Sequence, residues 1–456
     1  MKPIVACTNA LNRRDGAAML ATVVGLMVIL SVYTAGVFAY VGAQRRAVAN
    51  QVDIEQAFTV AEAGVERAAA YIELHHGIVA AAVCTNGSVN YDASTQSNQY
   101  QAVIVPISGY EFKISSTGTV YRTTWTGNPM SVSRVIAVNR VWLPSWSKYA
   151  MWSHDNNQIS YVQGEVISGA VHADNEIYFS GNPGPIFHGP VTSATNTWYA
   201  DSTKKGSLSH VTFDQGFKTN ASGGTLADVP FDDLETLAGT ASNGIVIPAD
   251  TYIDFSGTNL DISTNFISTI HTSSVSSSYS HGKTVYTTNW YDTTLTNWYQ
   301  VTPTNTPQLI YAQGDVYVAG TNGGRATIVA DGDIHITNTL TYTSGTNSTF
   351  NEALGLISKS NIWVDTSCPT NMKIFAHIMA TGEGGGFGAV SYNARKTGAL
   401  TMFGGLVQAK RFAVGQGTNG FKKFYTYDTR FTTNPPPYYP VQSEIINYER
   451  WEEHAP

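Results

Sequence analysis

Leu309-Ile310-Tyr311-Ala312-Gln313-Gly314-Asp315-Val316-Tyr317-Val318 is followed, 18 residues on, by Thr327-Ile328-Val329-Ala330-Asp331-Gly332-Asp333-Ile334-His335-Ile336. Each copy is a short apolar run, a Gly-Asp turn and a second run that alternates apolar and polar. Leu356-Ile357-Ser358 and Asn361-Ile362-Trp363-Val364 give a third copy, and Gly169-Ala170-Val171-His172-Ala173 matches Gly189-Pro190-Val191-Thr192-Ser193 upstream. Four-residue strands repeating near 20 residues suit a parallel β-helix, because one coil cannot bury its apolar positions except on the next. Lys373–Ala380 and Leu400–Gln408 fit further coils. The expected fold class is therefore mainly β, with a solenoid head over 150–433.

Two segments interrupt that head. Asp228-Val229-Pro230-Phe231 opens a predicted short helix over 228–239, with Asp as cap and Pro at an early position. Residues 262–306 are rich in Ser and Thr and read as an exposed excursion or loose hairpin. The stretch Asn434-Pro435-Pro436-Pro437 opens a tail, 434–456, expected to be extended, since consecutive prolines block helix and ladder donation.

Before the head, residues 78–148 alternate with period two over Gln101–Pro106, Tyr110–Ser115, Gly118–Thr124 and Ser131–Trp142, the pattern of an antiparallel meander with one wet face. Its nearest apolar partner is the segment ahead of it. Ala17–Ala43 carries no charged residue and exceeds the ~20 residues that span a bilayer. Val52, Ala57, Phe58, Ala61, Val65, Ala68, Ala69 and Ile72 then continue helical spacing up to a Gly77 stop. A helix over 17–76 follows, a rod of roughly 85 Å at ~1.5 Å per residue, apolar all round at first and amphipathic later. Lys2, Arg13 and Arg14 precede the span and Arg45 and Arg46 follow it, so flanking charge is nearly neutral on orientation; the short N-terminal flank makes N-in with an extracytoplasmic head the default. A cleaved secretory signal, with Val41-Gly42-Ala43 as cut site, and a plain signal anchor are the alternatives.

Composition narrows the function. Charged residues make up 13% of the 456, about half the usual ~25%, and the net charge is −7. No broad cationic excess is available to neutralise phosphates, so nucleic acid is excluded as a main partner.

The basic leader 1–16, ending Arg13-Arg14-Asp15-Gly16, followed by Ala17-Ala18-Met19-Leu20, resembles the start of type IV pilin-like proteins. The run Gln56-Ala57-Phe58 through Ala61-Glu62-Ala63-Gly64-Val65-Glu66 is similar to the N-terminal segment of PilX-type minor pilins. The resemblance covers about the first 75 residues. It implies cleavage by a prepilin peptidase between Gly16 and Ala17. It also implies an inner-membrane helix (Leu20, Val24, Leu26, Ile29, Leu30 and Phe38) that later packs among other pilin-like subunits. The fifth residue after the implied cut is Ala21, where the main filament subunits carry Glu, which points to a minor, initiating or tip subunit. The strands from 309 and the Pro-rich ending also resemble an uncharacterised C-terminal domain that accompanies such starts.

The chemistry-bearing candidates are few. Asp315, Asp331, Asp333 and Asp365 would be the carboxylates of a β-helix carbohydrate-active enzyme, but Asp beside Gly in a repeat is the pattern of turn amide capping. Asp232, Asp233 and Glu235 suit the first turn of a helix. His75-His76, His172 and His188 lack metal-ligand spacing, and Gly382-Glu383-Gly384-Gly385-Gly386 lacks the Lys and helix of a phosphate loop. No cofactor or metal is expected. Cys84 and Cys368 form a candidate disulfide in an oxidising compartment. The reading is a non-enzymatic pilus-type subunit for assembly, priming or attachment, with a surface glycan or host ligand as further partner. The alternatives are a membrane-anchored carbohydrate-active enzyme and a static envelope protein.

Overall fold

In the computed structural model, residues 8–454 are described apart from 76, 78, 80–81, 90–97, 109–110, 124–128, 223–228, 281–282, 302–307, 348–350, 395–397, 417–418 and 443–445. The N-terminal helix α1 (Thr8–Leu74) is continuous for 67 residues and passes through Gly16 and Ala17 without a break. It stops as expected: the Gly77 N–H reaches the Ile72 carbonyl at 2.8 Å, and Gly77 has φ 73°, the left-handed cap.

The second half of α1 lies on an antiparallel sheet of β1 (Val83–Val89), β2 (Asn98–Ser108), β3 (Glu111–Thr123), β4 (Pro129–Trp142) and the C-terminal strand Asn447–His454, in that order. Ala57, Ala61, Val65, Ala68 and Ile72 are fully buried. Helix and sheet meet closely: a Cβ on Gly118 would stand 2.2 Å from the Ala57 carbonyl oxygen, and one on Gly64 2.1 Å from Ser116 Oγ. Gly64 is thus where the helix approaches the sheet. Val52, expected on the apolar face, is exposed; Asp53 takes the inward position and pairs with Arg122 at 2.8 Å.

The larger sheet is largely parallel, apart from an antiparallel hairpin over 259–301, and its parallel strands stack in three ladders. Ladder A runs 244–247, 309–312, 325–330, 353–358, 377–380, 406–410, then 151–155, 171–173, 191–193 and 217–218. Ladder B runs 251–257, 316–318, 334–336, 362–364 and 387–389. Ladder C joins 320–322 and 340–342 through Ile374 and 398–404 to 421–427, Ile167, 186–187 and 212–213. The repeats align in register, Val316 on Ile334 on Ile362 and Val171 on Val191, and their inward residues form one long core. Stacking does not follow chain order: 151–155 pairs with 406–410, so the segment 151–218 extends the stack beyond its C-terminal rungs.

Ladder A is buried on its outer face as well. Trp146, the helix α2 (Phe231–Thr240) and Tyr439 cover Tyr311, Val329, Ile357 and Met379 there. The cap of α2 is Pro230, with no side-chain hydrogen bond; the expected Asp228 lies outside the described residues. The Ser/Thr-rich excursion is a long hairpin, Asn259–Ser280 with Lys283–Val301, continuing from the strand at 251–257; residues 302–306 lie outside the described ones.

The C-terminal tail docks on the rest of the chain: Arg325 Nη2 and Thr327 Oγ1 donate to the Pro435 and Pro437 carbonyls, and Gln442 N–H donates to the Pro144 carbonyl at 2.8 Å. The strand Asn447–His454 then pairs with the edge of β4. An open strand edge offers a row of unpaired backbone groups that an eight-residue strand satisfies. Arg140 of β4 holds the pair, bonding Glu449 at 3.0 Å and Glu111 at 2.6 Å.

Candidate functional site

Of the residues singled out in the helix, Leu20, Val24, Leu26, Ile29, Leu30 and Phe38 are all exposed, Leu20 by 66% and Phe38 by 77%. No other described residue covers them. By length and composition, this one helix is long and apolar enough to cross a membrane. Gly16 and Ala17 lie within it.

The carboxylates expected at turns do serve turns. Asp250 Oδ1 accepts the Asp315 N–H at 2.9 Å, Asp315 Oδ1 accepts the Asp333 N–H at 2.8 Å, and Asp333 Oδ1 accepts the Asn361 N–H at 2.9 Å. One side chain per coil therefore caps the next coil's turn. Asp333 Oδ2 also accepts Trp363 Nε1–H at 2.9 Å. Burial raises the Asp333 pKa, but the hydrogen bonds from Ser360, Asn361 and Trp363 outweigh it and leave the group below its ordinary value. Asp365 caps the Ser367 N–H at 2.9 Å, and Asp331 accepts the Tyr311 hydroxyl at 2.7 Å. Asp232 and Asp233 sit in the first turn of α2.

The histidines are likewise engaged. His172 is buried between Thr192 Oγ1 (2.7 Å) and Asp174 (3.1 Å), and His188 contacts Asp214 at 2.6 Å. Among the described residues, no three His, Cys, Asp or Glu side chains converge as a metal-binding group. The segment 381–388 is a turn leading into the strand 387–389. Cys84 is exposed on β1, whereas Cys368 is buried in the core of the parallel stack, and the two thiols are separate.

The concave feature that sequence reading did not single out is a groove of about 1540 Å³ along ladder B. His335, Trp363 and Phe412 line it and belong to an aromatic column that continues beyond it. Tyr252, Tyr317, His335 and Trp363 occupy one register position, with Tyr252 on Tyr317 at 4.7 Å and Tyr317 on His335 at 4.9 Å. The next position is Gly388, and there Phe412 stacks directly on Trp363, 5.4 Å between centroids and 4° between planes. A signal existed in the repeat itself, since Tyr317, His335 and Trp363 are the middle residues of the three copies. Beneath the groove Glu165 and Lys423 form a buried ion pair, and the Arg411 guanidinium lies 3.9 Å from the Tyr161 ring. Burial lowers the Lys423 pKa, with Glu165 opposing, and raises that of Tyr161 to about 12.

Compared with family models, curated proteins and solved structures, the chain matches none.

Proposed function

We propose that this chain is a minor pilin-like subunit, non-enzymatic, held in the inner membrane by the first half of α1 and presenting a β-solenoid head outside the cell for assembly, priming or attachment. The observation that carries this reading is the division of α1. One continuous helix has an apolar half left uncovered by the other described residues and a second half sunk into a small antiparallel sheet. Uncovered apolar surface on that scale needs another apolar medium, either lipid or a bundle of like helices. In this reading a prepilin peptidase cuts between Gly16 and Ala17, and the freed helix exchanges lipid for neighbouring pilin-like helices. The parallel ladders, stacked rung on rung with one side-chain cap per turn, support a solenoid head. Of the carboxylates that an acid–base mechanism would use, Asp315, Asp333 and Asp365 are engaged with turn amides and Asp331 with the Tyr311 hydroxyl, which favours a non-enzymatic head over a carbohydrate-active enzyme.

Mass spectrometry of the mature N-terminus, from membranes and from material sheared off the cell surface, tests this. A start at Ala17 in sheared filaments is the expected result. An intact Met1, or a start near Gln44, would replace the reading with a static anchor or a secretory signal.

A further inference from the structure

The groove along ladder B has three properties that together specify a ligand. It is long, crossing the rungs that carry His335, Trp363, Ala389, Phe412, Ser160 and Ser180, a run of about 24 Å at ~4.8 Å per rung. That is the span of a chain, not of one small molecule. Its surface mixes aromatic planes with short hydrogen-bonding side chains: Trp363, Phe412 and Phe424 beside Gln158, Gln163 and Asn393. Phe424 is 48% exposed. Among its lining residues Lys423 is paired with the buried Glu165, which leaves the exposed Lys422 as the cation a ligand meets, in a protein of net charge −7.

The floor also restricts how a ligand is held. Its backbone groups are already used between rungs: Ile362 N–H to the Gly386 carbonyl at 3.0 Å, Val390 N–H to Val364 at 3.0 Å, Arg411 N–H to Asp155 at 2.8 Å. These groups are not free for an extended peptide, which binds by adding a strand to an open edge. A nucleic acid would need more cations than the groove holds. The ligand must be read by side chains, through flat apolar faces that stack on rings and hydroxyls that meet amides. Three of the eight described non-glycine residues with positive φ, Asn157, Gln158 and Ser391, line this groove. Backbone held in that region collects where a loop is shaped for a ligand.

We propose that the groove binds a linear acidic polysaccharide, its sugar faces lying on Trp363, Phe412 and Phe424, its hydroxyls meeting Gln158, Gln163 and Asn393, and its carboxylates drawn by Lys422. The site deepens the attachment reading and rests on it only for where such a polymer is met.

The test is calorimetric titration of the purified full-length chain in detergent with oligogalacturonate, oligomannuronate and neutral cello-oligosaccharides. Expected are binding of at least one acidic oligomer, a tenfold or greater loss in Phe424→Ala, and a smaller loss in Lys422→Gln that disappears at high salt. Phe424 and Lys422 are exposed, so both variants keep the fold; Trp363→Phe, which keeps the stack and loses the indole N–H, is the third. No binding of any oligomer, or binding that Phe424→Ala leaves unchanged, overturns the site. Equal binding of the neutral oligomers overturns the acidic assignment. Because binding is measured on purified chain, failure of filament assembly leaves this result standing, and failure of binding leaves the anchoring function standing.

Discussion

Trp363 lies parallel to Phe412, planes within 4° and centroids 5.4 Å apart, across a rung whose own residue at that position is Gly388. The two rings meet because the intervening residue has no side chain. A Cβ on Gly388 would stand 2.9 Å from both Phe412 Cβ and Trp363 Cζ3.

Gly388→Val therefore wedges the stack apart. Overpacking of this kind costs about 1–3 kcal/mol. The expected result is a lower thermal midpoint with loss of near-ultraviolet circular dichroism from the indole. An unchanged aromatic signal would show that the rings part without strain.

The Asp ladder predicts a difference between two substitutions at one site. Asp315→Ala removes the acceptor of the Asp333 N–H and costs about 1–2 kcal/mol, whereas Asp315→Asn keeps an oxygen there and stays within ~0.5 kcal/mol of wild type. Urea unfolding measures both. Equal losses would mean that charge, not the hydrogen bond, holds the turn.

His377 is fully buried, and its Nε2 faces the Tyr149 carbonyl at 3.1 Å, so that nitrogen donates and Nδ1 accepts the Tyr439 hydroxyl at 2.7 Å. The ring is neutral. Burial lowers its pKa to about 3, with the carbonyl contacts pulling the other way. Below pH ~6.5 the unfolded chain takes up a proton that the folded chain refuses. Stability thus falls as pH drops from about 6.5 towards 3, by roughly 1.4 kcal/mol per pH unit at most. In His377→Gln this slope should flatten between pH 6.5 and 4.5 although the variant is less stable throughout; denaturant midpoints across that range decide it.

The contact of Gly118 with the Ala57 carbonyl sets the distance between α1 and its sheet. Gly118→Val, which drives a side chain into helix backbone, should cost about 3 kcal/mol or more. Limited proteolysis of the variant in detergent should cut within 57–72, which the wild type protects. Cutting confined to other loops would show that the helix tolerates displacement.

Much of the architecture was legible in particular residues. The uncharged run from Ala17 to Ala43 and the spacing of Ala57, Ala61, Val65 and Ile72 define α1 because a helix presents every third or fourth residue to one side. The Gly-Asp repeat located the ladders because each Asp answers an amide at a fixed offset. The groove was less legible: Tyr317, His335 and Trp363 were visible as repeat positions, but Phe412 belongs to no repeat and enters the column only through Gly388.

Local periodicity determined most of the side chains that face inward, since a strand or helix fixes that from one residue to the next, although Asp53 and not Val52 turns inward in α1. Only tertiary structure decided which rung sits on which. Rungs with similar inward residues are interchangeable partners in sequence, and choosing 406–410 rather than 244–247 as the neighbour of 151–155 depends on the summed packing of side chains distant in the chain. The same holds for the last strand, whose pairing with β4 follows from an edge left open elsewhere in the molecule.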